Sequence, residues 1–222
     1  MNSSTTDEPV RYDPEPRWPA LIALVAVGGL YAALPAPLII GPRWIFLVIV
    51  LIMLVPTVIS HYKAYHELNR VLGFAISGVV TVAMMISVAM LITELPKHTE
   101  TPEELLWSAA CLWFTNVLVF ALWYWRLDAG GPHGRDKRRA HTDGAFLFPQ
   151  MTLSPEIRRE MGEHMWSPNF FDYLYLAFNT STAFSPTDTP VLARWGKVLM
   201  MLQSVISLTV LALLAARAVN IL

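Results

Sequence analysis

The densest set of ligand-type oxygens in the chain lies between 180 and 189: Thr180, Ser181, Thr182, Ser185, Thr187, Asp188 and Thr189. Hydroxyls, turn carbonyls and a carboxylate are the donors a partly dehydrated cation takes. Repeated around a symmetry axis, Asp188 would form an acidic ring attractive to cations. One chain supplies one such loop. The chemistry therefore asks for a homo-oligomer, a tetramer if it is a channel, with a monovalent cation as the permeating species. The same residue types also serve plain structure. Thr and Ser satisfy the carbonyl end of a helix, and Asp188 or Thr189 caps the next one, with Pro190 in its first turn. Capping and conduction are compatible, and the sequence leaves both open.

Downstream, Gln203, Ser204, Ser207 and Thr209 interrupt an apolar run. Gln203 and Ser207 are four apart and share a helix face. They are either pore-lining or, as polar residues among apolar helices more often are, helix-packing groups. The interiors of the first four apolar windows hold no Asp, Glu, Lys, Arg or His, which speaks against proton-coupled transport and voltage sensing.

The other candidate chemistry is thinner. The basic run Arg135, Lys137, Arg138 and Arg139 is expected to face anionic lipid heads or to act only as a topology determinant. His61 and His66 are five apart and point apart on one helix. His133, His141 and His164 show no ligand spacing and are expected to be solvated. The single cysteine, Cys111, builds no disulfide and no metal cluster. No nucleophile with a partnered base is visible, and GGPHG lacks the Lys-Ser/Thr of a phosphate loop. The expectation is a non-enzyme with no cofactor and no catalytic or metal site. A net charge of −1 gives no reason to expect a nucleic-acid partner.

The elements that must position these residues are helices in a bilayer. The 222 residues are 55% hydrophobic and 15% charged, against about 25% charged in a soluble domain. A hydrocarbon core about 30 Å thick needs roughly 20 apolar residues per helix. Five windows meet or approach that: 18–34, 43–60, 71–95, 105–125 and 192–222. The expected fold class is all-α, a polytopic membrane protein. It has five transmembrane helices plus a short re-entrant or interfacial helix at 168–182, before the last span. The organisation follows: a disordered tail at 1–17, a four-span bundle at 18–125, a basic connector at 126–167, and a half-helix, turn and final span at 168–222. No cleavable leader is evident in the acidic start. Prolines at 35, 37 and 42 break the first hairpin. Gly73, Ser77 and Gly78 offer a close-packing face. Thr101-Pro102-Glu103-Glu104 reads as a helix start, and Ser154-Pro155-Glu156 as another.

Positive charge sets the expected orientation. With the N-terminus inside, the tail, the 61–70 linker and 126–167 place eleven Lys and Arg in the cytoplasm, against Arg43 and Lys97 outside. The loop 168–190 then dips in from the cytoplasmic face and returns to it.

Asp172 to Thr182 (DYLYLAFNTST), a short turn, then Leu192-Ala193-Arg194 and a long apolar stretch resemble the pore module of two-span potassium channels. The resemblance implies a pore helix, a filter and an inner helix. Both glycines of that family's T-V-G-Y-G-D filter are missing here. Thr182 stands at its first position and Asp188 near its last. Ala183-Phe184-Ser185-Pro186-Thr187 lies between them, and Pro186 fixes its own φ. A potassium-selective filter is therefore not implied, and the charge count inverts the loop relative to that family. The stretches 123–132, 146–150 and 183–189 also resemble segments of bacterial polytopic inner-membrane proteins of about this length. That resemblance implies an inner-membrane location and no activity. Two functions stay open: cation permeation through an oligomeric pore loop, and a non-conducting structural or accessory role in the lipid bilayer.

Overall fold

The computed structural model describes residues 15–63, 65–94, 101–137, 144–162, 166–182 and 188–219. Ser185, Thr187, Arg138, Arg139, His141 and His164 lie outside them, as do residues 1–14 of the tail. Among the described residues the regular structure is helical, with one isolated antiparallel bridge, Phe146 to Val191, and no strand.

The described residues form eight α-helices in order: α1 Trp18–Ala32, α2 Arg43–Tyr62, α3 His66–Glu94, α4 Pro102–Leu127, α5 Gly131–Asp136, α6 Pro155–Glu160, α7 Phe170–Thr182 and α8 Arg194–Val219. Four of them, α2, α3, α4 and α8, are long and apolar enough to cross a bilayer. The first expected window, 18–34, yields α1, whose 15 residues make a shorter apolar helix. Pro35 sets its end: Ala33 N–H still reaches the Gly29 carbonyl, and a proline cannot continue the ladder.

Side-chain chemistry explains the helix starts. Thr101 and Glu104 form a reciprocal capping box, with Thr101 Oγ1 accepting from Glu104 N–H and Glu104 Oε2 accepting from Thr101 N–H. Ser154 Oγ accepts from Ile157 N–H at the start of α6. The expected cap of the last helix does not form. That helix begins at Arg194, beyond Asp188, Thr189 and Pro190, because 190–193 is used in pairing. Leu147 N–H donates to the Pro190 carbonyl at 2.9 Å, and Leu192 N–H to the Ala145 carbonyl at 2.7 Å.

Helix α4 is the axis of the bundle, packed against α1, α3, α7 and α8. Consecutive residues Val119 to Leu122 are all buried, so apolar side chains surround it on every side. Helices α1 to α4 alternate in direction. The α1–α2 hairpin is locked to α3 through Ser87 Oγ, which donates to the Leu38 carbonyl at 2.8 Å.

Helices α7 and α8 run parallel to each other. Both start beside the Phe146 ring, which lies 6.3 Å from Tyr173 and 5.7 Å from Trp195. Farther along, Ser207 of α8 meets Ser181 of α7. At 1.5 Å rise per residue both positions lie roughly 16–20 Å from their helix starts. Thr182 therefore ends α7 about half-way along α8, on an exposed face, while Pro190 is back at the level of Ala145.

Candidate functional site

Two polar assemblies stand out, one deep in the bundle and one at the end where α1 begins and α4 finishes.

The deep one is a seam among α4, α7 and α8, with Gln203 as its hub. Its Nε2 donates to the Ala177 carbonyl and to Ser181 Oγ, both at 2.7 Å. Its Oε1 accepts from Tyr124 Oη–H at 2.6 Å, and its main-chain carbonyl from Asn116 Nδ2 at 3.2 Å. Ser207 Oγ donates to the Ser181 carbonyl at 2.7 Å and accepts from Trp113 Nε1 at 3.0 Å. Thr180 Oγ1 donates back to the Leu176 carbonyl, and Ser204 Oγ to the Thr180 carbonyl. Thr180, Ser181, Gln203 and Ser207 are all buried. Of the alternatives open for Gln203 and Ser207, these contacts are those of helix packing: each group spends its hydrogen-bonding capacity on a neighbouring helix. Thr182 and Asp188 are exposed, while Thr189 is buried. Thr182 Oγ1 donates to the Phe178 carbonyl at 3.1 Å, so the residues expected at one constriction part company.

The second assembly occupies the other end. After α4 the chain turns through Ala129, Gly130 and Gly131, all at positive φ. This run brings α5 back under the end of α4. Arg135 is the result, and it corrects the expectation of a lipid-facing basic run: it is 4% exposed. Its Nη1 donates to the carbonyls of Trp125 (2.9 Å) and Asp128 (3.0 Å), and its Nη2 to Glu15 Oε2 at 2.9 Å. The guanidinium also lies over the Tyr173 ring at 4.9 Å. A planar cation with five donors can be buried where carbonyls and a carboxylate receive them. Lys137 alone of the run's described members is exposed.

Asp128 is fully buried. Its Oδ2 accepts from Tyr173 Oη–H at 2.7 Å, and its Oδ1 from Ala145 N–H. Glu15 and Arg17, expected in a mobile tail, are held as well. Arg17 pairs with Glu15 at 3.1 Å and with Asp136, and Glu15 accepts from Trp125 Nε1. Burial lowers the Arg17 pKa, and the two carboxylates oppose that shift. Behind them lies a cavity of about 490 Å³, lined by Arg17, Leu21, Leu24, Val58, His66, Arg126 and His133 among others. His66 and His133, expected to be separate solvated side chains, stack with ring centroids 3.7 Å apart. Arg126 lies against Gly73, where a Cβ would fall 1.9 Å from Nη1. The space left by this glycine is filled by a guanidinium rather than by a neighbouring backbone.

Sequence reasoning missed Glu15, Arg126, Asp128 and Tyr173. The Ala-Gly-Gly turn between Asp128 and Arg135 was the available signal, since a tight reversal there returns α5 to the helix it left. Among the described residues no three His, Cys, Asp or Glu gather as a metal site.

The fold and its polar assemblies define an all-helical chain with four helices of membrane-crossing length. In comparisons with protein-family models, curated proteins and solved structures, no match to this chain is found.

Proposed function

We propose that the chain is a bacterial inner-membrane protein with its N-terminus and 126–167 in the cytoplasm, built around a re-entrant pore loop that passes cations through a homo-oligomer. The observation that carries this reading is the parallel start of α7 and α8 at one end of the bundle. Helix α7 has 13 residues, about 20 Å, too short for a hydrocarbon core about 30 Å thick. A half-helix that enters, followed by a return to the same end and a full span, is the layout of a pore module. In this reading α1, 15 residues and about 22 Å long, is a fifth, short crossing that stands near the bilayer normal with the bilayer thinned around it. The exposed Thr182 and Asp188 are the groups of the loop left to face an axis or water.

A second reading has its own support. The burial and mutual bonding of Ser181, Gln203 and Ser207 favour a non-conducting protein in which the half-helix is a packing motif. Reconstituted liposomes separate the two. Cation flux from the purified oligomer, reduced several-fold by Asp188→Asn, supports the pore. A monomer in native-like lipid with no flux above empty vesicles rejects it and leaves the packing role.

A further inference from the structure

We infer that the 490 Å³ cavity at the α1–α4 end is a binding site for a phosphate-bearing anion, held by Arg126 with His133 and His66 beside it. The inference goes beyond conduction and does not depend on it; only its lipid arm rests on the bilayer reading.

Three arginines and three carboxylates gather at this end, but the pairing among them is uneven. The carboxylates serve two of the arginines. Glu15 is bound by Arg17, Arg135 and Trp125, and Asp136 by Arg17 and the Glu15 N–H. Asp128 takes Tyr173 and the Ala145 N–H. Arg126 has no ion pair among the described residues. Its charged neighbour is Arg17, of like sign. Its flat face meets Trp125 at 5.3 Å, and its Nε is buried without a hydrogen-bond partner. His133 Nε2, from a different helix, is likewise buried and unpartnered. Both residues line the same cavity, as do Glu15 and Asp136, the two carboxylates already paired with Arg17. Arg126 is half-buried; a cation drawn partly out of water without a counter-charge is costly, and an anion placed there would compensate it.

The donor set selects phosphate. A guanidinium fork and two imidazoles supply several N–H groups from α3, α4 and α5, and a phosphate offers the multiple acceptor oxygens that match them. The cavity is also larger than a bare ion needs, and Leu21, Leu24 and Val58 make part of its wall apolar. A phosphate carrying an apolar body uses both parts. An anionic phospholipid headgroup at the helix ends and a soluble phosphate ester share this chemistry.

The test uses the full chain in phosphatidylcholine nanodiscs, probed with dioleoylphosphatidylglycerol and, separately, with inorganic phosphate. Retained lipid is read by native mass spectrometry and stability by thermal melting. Wild type should retain phosphatidylglycerol over phosphatidylcholine, and Arg126→Gln should weaken that preference about tenfold. A melting shift with inorganic phosphate, lost in Arg126→Gln and unaccompanied by lipid preference, supports the site and assigns it to a soluble ligand. His133→Gln, about threefold weaker, carries the test if Arg126→Gln fails to fold. Absence of preference for either probe in wild type, or full preference retained in both variants, overturns the site.

Discussion

Gln203 shows how much one side chain can organise. Its carboxamide bonds to α7 through two donors and to α4 through one acceptor, so a single residue fixes the spacing of three helices. Apolar packing alone would let α7 slide along α8, since Leu and Ile faces tolerate many registers. The amide tolerates one. Gln203→Leu keeps the volume but strands the Tyr124 and Ser181 hydroxyls. The expected loss is about 1–2 kcal/mol, the range for polar bonds between apolar helices. Unfolding of the detergent-solubilised protein followed by its tryptophan fluorescence would measure it, and Gln203→Glu should not restore the loss. Unchanged stability in Gln203→Leu would mean that the seam contributes nothing beyond its shape. This part was half legible: a Gln and a Ser four apart on an apolar helix announce a polar face. That the face meets α7 rather than a lumen was not, because the partners Ala177 and Ser181 sit across a segment whose path no local pattern dictates.

At the scale of elements, the turn after α4 decides where the charges go. Ala129 and Gly130 adopt left-handed angles, and Gly131 has φ 78°, ψ −179°, a region open essentially to glycine. A Cβ at Gly131 would also meet the Arg126 carbonyl oxygen at 2.8 Å, whereas one at Gly130 would meet nothing within 4 Å. Gly131→Ala is therefore expected to cost about 2 kcal/mol and Gly130→Ala about 1 kcal/mol. Paired melts of the two variants test the order. Equal costs would show that this reversal is not what holds α5 against α4. Helix limits set by local chemistry could be read in advance, as with Thr101 and Glu104 at the start of α4 and Ser154 before α6. The inward turn of Arg135 could not. A string of Arg and Lys has the pattern of a solvated surface, and the carboxylate that receives this one, Glu15, lies 120 positions away.

For the whole molecule, the open matter is which side of a bilayer each loop meets, and the helix directions make the proposed re-entrant topology specific. Lys137 follows α5 at the end where α4 finishes, and Thr101 sits at the opposite end where α4 begins. If α7 enters and the chain returns, position 188 lies on the Lys137 side. If 168–190 instead crossed the bilayer, 188 would lie on the Thr101 side. Single cysteines at 101, 137 and 188 decide between these, read with a membrane-impermeant thiol reagent on sealed right-side-out and inverted vesicles. The native Cys111 is buried in α4 and should stay silent. The charge count further requires 137 and 188 to label in inverted vesicles, from the cytoplasmic face, and 101 in right-side-out ones. Labelling of 188 together with 101 would remove the pore-module layout. The conduction proposal would go with it, while the phosphate site, which lies among α1 to α5, would stand. Labelling of all three as expected would leave conduction to be decided by flux alone. The helix directions would then be explained, and only the assembly of copies around Asp188 would remain to be measured.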